Sequence, residues 1–102
     1  MDSKTPKASD INKIKTAEEL KQQTMKWLKR LEKEIKHIDN AGKLPKPQYN
    51  SLIENMLAYV KDARHFIDKK DWVRAFEAVI YAYGILETCQ RVGIIKAKDQ
   101  AV

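Results

Sequence analysis

One stretch of the chain, Asp71 to Ile94, is apolar around most of a helical circumference, and that limits what can be built on it. At about 100° per residue, Trp72, Ala75, Phe76, Val79, Ala82, Tyr83, Leu86 and Cys89 form one broad arc, which Ala78, Ile85 and Val92 widen. Only Arg74, Glu77, Tyr81, Thr88 and Arg91 mark a wet side. A helix with so much apolar surface needs at least two neighbours to cover it, so the other segments are read as its covers. Asp71 is placed to cap its start and Gly93 to close its end.

Two further periodic segments are available. Leu20, Thr24, Trp27, Leu28, Leu31, Ile35 and Ile38 step by three and four, the stripe of a core-facing helix. This first helix is predicted over 10–41, starting either at Asp10 or at Thr16, where Glu19 completes a capping box, and ending at Asn40-Ala41-Gly42. Pro47 suits the first turn of a second helix, predicted over 47–69, whose apolar side carries Tyr49, Leu52, Ile53, Met56, Leu57, Tyr59, Val60, Ala63, Phe66 and Ile67. The third helix is predicted over 71–92, and the two- or three-residue connection before it makes the second and third helices an antiparallel hairpin. A turn centred near Lys70 sets Phe66 level with Arg74 and Met56 level with Gly84. No strand pattern or repeat interrupts this reading. The predicted fold class is all-α: an antiparallel up-down-up three-helix bundle forming one domain over 10–94, with a disordered tail at 1–9 and a loose one at 95–102.

Composition narrows the surroundings. A chain of 102 residues supports one core and no elaborate buried active site. Cys89 is the only cysteine, which excludes an intrachain disulfide and a cysteine metal cluster and fits a reducing cytoplasm. The longest uncharged run, Ala78 to Leu86, is far short of the roughly 20 residues that span a bilayer. The polar opening MDSKTPKASD resembles neither a signal peptide nor an anchor. No membrane association is expected.

Tyr59, Asp62, Ala63, Phe66, Asp71, Ala75, Tyr81, Ala82, Gly84, Leu86 and Gly93 recur in a familiar order. The segment they define, Tyr59 to Ile94, resembles the archaeal domain-of-unknown-function family 357. The glycine usual in that family before the aspartate is Lys70 here, its frequent histidine is Tyr83, and its aspartate is Glu87. The resemblance implies an archaeal source and a three-helix bundle. It implies no activity, because the family has no established one.

Candidate chemistry is sparse. Glu34-Ile35-Lys36-His37 and Asp62-Ala63-Arg64-His65 have the acid-x-x-His form of di-iron bundles, but on their helices the ligands point away from the core. Cys89 has only apolar helical neighbours and no base to make it a thiolate. Phosphate loops, nucleophile elbows and paired zinc ligands are missing, so no enzyme, metal or cofactor is expected. Gly84 inside a helix costs about 1 kcal/mol against alanine, for which the expected reason is close approach of a backbone or bulky neighbour, or else a ligand groove.

Three surface features remain. Lys26, Lys29, Arg30, Lys33, Lys36 and His37 lie opposite the apolar stripe of the first helix as a basic ridge. Ala78, Ile85 and Val92 form an apolar flank that three small helices do not cover, which suits an unidentified protein partner or self-association as a homodimer. Asp62, Arg74, Tyr83 and Glu87 are candidates for an interhelical polar cluster, with Glu87 either buried against a tyrosine or exposed near the bundle end. Two functions fit these features: a non-catalytic protein-interaction module, and sequence-tolerant nucleic-acid binding through the ridge.

Overall fold

The computed structural model describes residues 8–98. Three helices account for most of them: α1 (Ala8–Ile35), α2 (Lys46–Asp68) and α3 (Trp72–Arg91). The chain is the all-α bundle that the periodicity predicts, with one addition. Two short strands, β1 (Ile38–Asn40) and β2 (Ile95–Ala97), pair antiparallel with Ile38 opposite Ala97 and Asn40 opposite Ile95.

The addition corrects both ends of the sequence reading. The first helix was expected to run to 41, but it stops at Ile35, and Ile38 leaves the helical stripe to enter a strand. Residues 95–97 are not loose, because Ile95 is buried and β2 pairs with β1. The ladder is extended by Ala41 N–H to the Ile94 carbonyl at 3.0 Å and Lys98 N–H to the His37 carbonyl at 2.8 Å. At the other end α1 begins at Ala8, so residues 8 and 9 of the expected tail are helical. The rest of that tail, and residues 99–102, lie outside the described residues.

The core is centred on α3, whose Ala75, Ala78, Val79, Ala82, Tyr83, Leu86 and Cys89 are buried. α2 supplies Met56, Val60 and Ala63, and α1 supplies Leu28 and Leu31. Leu31, Met56 and Leu86 are fully enclosed, each contributing about 1.5–3 kcal/mol of apolar burial. α1 and α2 each pack extensively on α3 and barely on one another. An exposed ion pair between Arg64 and Glu32 ties those two helices together. Thr24 occupies a core position on α1 and is satisfied there by donating its hydroxyl to the Leu20 carbonyl at 2.7 Å.

Helix ends explain how the elements are held. Asp71 accepts from the Arg74 N–H and caps α3, as its position predicts. At the far end of α3, Ile94 N–H bonds to the Cys89 carbonyl and Gly93 N–H to the Gln90 carbonyl, with Gly93 at φ +75°. This is a Schellman closure. Lys43 strengthens it by donating to the Val92 carbonyl at 3.0 Å, a cation on the negative end of the helix. Gly42 also has a positive φ, +88°, but it follows β1, where the Asn40 side chain accepts its N–H at 2.9 Å. It therefore shapes a turn and does not close α1.

The end of α2 repeats the Schellman pattern with the wrong residue. Asp71 N–H bonds to the Phe66 carbonyl and Lys70 N–H to the Ile67 carbonyl, which places Lys70 at φ +59°. A side chain there is strained by about 1 kcal/mol, and glycine is not. Lys70→Gly is therefore expected to raise stability by about 1 kcal/mol, less the entropy of a freer unfolded chain, and to raise Tm by a few degrees. Denaturant titration of the two chains checks this, and a destabilised variant would contradict it.

Candidate functional site

Every residue of the predicted basic ridge is exposed: Lys26, Lys29, Arg30 and Lys33 on α1, Lys36 and His37 on the turn that follows. Trp27 is set among them. The Arg30 guanidinium lies 5.0 Å and the Lys26 ammonium 5.7 Å from its ring centre, both as cation–π partners. Its indole N–H donates to Gln23 at 3.0 Å, and its ring meets Tyr83 edge-on at 5.6 Å. Below this group, Arg30, Lys33, Glu34 and His37 border an open cleft of about 480 Å³ with Ile38, Gln90 and Ala97. Glu34 offsets part of its positive charge. The part of the cleft wall formed by the strands was not visible in the sequence.

The predicted polar cluster is not assembled. Asp62 and Arg74 are exposed and line a shallow groove between α2 and α3 with Tyr59, Phe66, Glu77, Ala78 and Tyr81. Arg74 pairs with Asp71, Nε to Oδ2 at 3.7 Å, and covers the Phe66 ring at 5.9 Å, so it is not the partner of Asp62. Tyr83 faces α1 instead. It is buried, and its hydroxyl has no hydrogen-bond partner among the described residues. Burial pushes the Tyr83 pKa up, Glu34 adds to the rise, Arg30 opposes it, and Glu87 adds a little more. Glu87 itself is exposed.

The predicted apolar flank is displaced in the structure. Ala78 is 6% exposed and belongs to the core, and Ile85 is half-buried, which leaves Val92 as its only open member at 52%. The bare surface lies further round α3, where Ile80 and Tyr81 are 45% and 60% exposed. Together with Gly84, Ile85, Thr88, Cys89 and Leu52 of α2 they line an open, mostly apolar groove of about 600 Å³. Tyr81 is held there by Tyr59, whose ring lies 5.6 Å away, and it joins this groove to the shallower one. Sharing Tyr81, the two make one seam lined, among the described residues, by α2 and α3.

Gly84 sits exposed in that seam. Among the described residues a Cβ built on it meets nothing within 4 Å, so none of them is the close backbone or bulky neighbour expected from the sequence. Cys89 is buried and its thiol pKa is pushed up by that burial, which keeps it protonated. The two acid-x-x-His pairs are exposed, and among the described residues no three metal-ligating side chains converge.

A family model described as a protein of unknown function, DUF357, matches residues 26–95, from the first ridge lysine to the start of β2. A protein of Archaeoglobus fulgidus with the same family assignment has a crystal structure similar to this one. Its TM-score is 0.70 at 36% identity, covering 81% of this chain and 99% of that one. No curated protein matches the chain.

Two substitutions test this geometry. Gly84→Ala fills open space and gains helix propensity, so in dilute solution it is expected to stabilise the chain by about 1 kcal/mol. A loss of stability in thermal unfolding would mean that the seam is closed. Tyr83→Phe removes a buried hydroxyl that has no partner among the described residues, so at neutral pH it is expected to be neutral or stabilising by up to about 1 kcal/mol. The pKa of Tyr83 is higher folded than unfolded, so its contribution is complete below the ordinary tyrosine value of 10.0 and is lost as pH rises through the folded value. Stability of the wild type should fall in that alkaline window, and Tyr83→Phe should flatten the fall. Part of the slope persists through Tyr49 and Cys89, both also pushed up chiefly by burial.

Proposed function

The chain belongs to the DUF357 family, which carries no assigned function, and from that premise we propose that it is a non-catalytic helical interaction module whose contact face is the α2/α3 seam. The observation that carries this reading is Gly84: a glycine in mid-helix, with open space where its side chain would be, flanked by exposed Ile80 and Tyr81. An exposed apolar groove and a helix-weakening residue at one place are both unfavourable to an isolated chain. A protein surface seated in the groove offsets both. The other elements support a binding role over catalysis, since the lone thiol is buried and protonated and the acids and histidines are dispersed on the surface. No helix among the described residues is long and apolar enough to cross a membrane. We assign the module to the cytoplasm on the free thiol of Cys89, its only cysteine, which suits a reducing compartment.

The basic ridge supports a second reading, binding of nucleic-acid phosphates, because all six of its residues are exposed and Arg30 and Lys26 flank an aromatic ring. It ranks below the first. The Trp27 ring is half-buried, with Arg30 and Lys26 already against it and Tyr83 packed at its edge, so it offers no free platform for a base.

Affinity capture from native cell extract separates the two readings. With nuclease present, wild type should retain a protein that Ile80→Lys loses, while circular dichroism shows the variant folded; retention by the variant would remove the seam as the binding face. For the ridge, RNA binding at low salt should weaken steeply as salt rises, with a shallower slope when Lys26, Lys29, Arg30 and Lys33 become glutamine. No RNA binding at low salt would eliminate it.

A further inference from the structure

We infer that the occupant of the seam is a second copy of this chain, with α3 packed antiparallel on α3 of its partner across a two-fold axis at Gly84. The inference rests on the interaction-module reading and adds the partner and its geometry. The outward face of α3 runs through Glu77, Ile80, Gly84, Thr88 and Arg91, successive steps of three or four residues that keep to one side of a helix. An axis at Gly84 sets each of these against a complementary residue. Four residues either side, Ile80 of one copy meets Thr88 of the other and covers its methyl group. Seven residues either side, about two turns, Glu77 meets Arg91, and symmetry makes that pair twice. At the axis the two glycines let the backbones approach, a use that no described residue of the same copy makes of Gly84.

The charges are free to pair in this way. Glu77 and Arg91 are both exposed, and among the described residues neither is in an ion pair within the chain. A surface that matches itself under a two-fold rotation is the requirement of an isologous dimer, and a surface evolved for an unrelated protein has no reason to meet it. Contact along one helix and the shoulder of its neighbour is small beside the roughly 800 Å² per partner of a standard interface, so the dimer is expected to be weak, dissociating in the micromolar range.

Sedimentation of purified chains across micromolar concentrations tests this. Wild type should pass from monomer to dimer. Glu77→Arg and Arg91→Glu should each dimerise at least about tenfold more weakly, because each sets like charges opposite one another twice, while circular dichroism shows both folded. Mixed in equal amounts, the two variants should associate again, since every Arg–Glu contact is then restored between unlike copies. Weakening by each variant alone together with recovery in the mixture is specific to the antiparallel register, because a parallel pairing would set 77 on 77 and 91 on 91, where neither variant alone adds a like-charge contact. Failure of the mixture to associate overturns the register, and a wild type that stays monomeric throughout overturns self-association. In the second case, a protein captured by wild type and lost by Ile80→Lys would still uphold the seam reading, so the two failures are distinguishable.

Discussion

The packing of α1 and α2 on adjacent sides of α3 is the contact on which the other parts of the fold depend. α3 makes it with small residues, Ala75, Ala78 and Ala82, between larger ones, Val79, Tyr83 and Leu86, so that two helices approach it closely. α1 and α2 barely meet, and the exposed Arg64–Glu32 pair between them contributes little. A cavity opened in α3 would therefore loosen two interfaces together. The paired strands fasten the end of the arrangement: β1 follows α1, β2 follows α3, and burial of Ile38 and Ile95 joins the ends of the two helices at the core.

The helices were legible because each repeats its pattern over several turns. The stripe of α1, the apolar side of α2 and the arc of α3 all survive the loss of any one residue from the count. Capping was legible at Asp71 and Gly93, where one residue type performs one local task. The strands were not, because three residues carry too little alternation to register as period two. Ile38 falls three residues after Ile35, which is as good a step for a helix as for an entry into a strand. What decides between them is pairing with residues 95–97, far away in sequence, and no local pattern contains that information. Gly42 shows the same limit, since a turn after a strand and the end of a helix require the same positive φ.

Surface features were legible only in part, for a related reason. A helical wheel states which side a residue is on and not how wide the covered sector is. The ridge on α1 lies directly opposite the core, where an error in sector width has no effect, and all its members are exposed. The flank on α3 lay at the margin. α2 covers Ala78 and much of Ile85, and the bare sector begins at Tyr81 and extends to Ile80. Asp62 and Arg74 failed as a pair for a different reason: Arg74 is three residues from Asp71, and that shorter-range contact holds it. Tyr83 turned towards Trp27 because the α1 side of α3 offered an aromatic edge.

Gly84 joins these threads, because its energetics differ between one chain and two. Within one chain it weakens α3 by about 1 kcal/mol in a domain whose size leaves only a small margin of stability, and nothing nearby requires it. Ile80 and Tyr81 beside it leave apolar surface in water that α2 does not reach. Helix propensity and the hydrophobic effect thus both disfavour the same two turns of α3 in isolation, and they do so at the place where Glu77 and Arg91 stand symmetrically on either side, neither in an ion pair among the described residues. A backbone lying across Gly84 would reverse both costs in one contact, since the missing side chain sets how near it can come and the flanking residues supply what it covers. The end charges then decide which backbone fits: one that presents arginine where this chain presents glutamate, and glutamate where it presents arginine, which is what the same helix run in the opposite direction does.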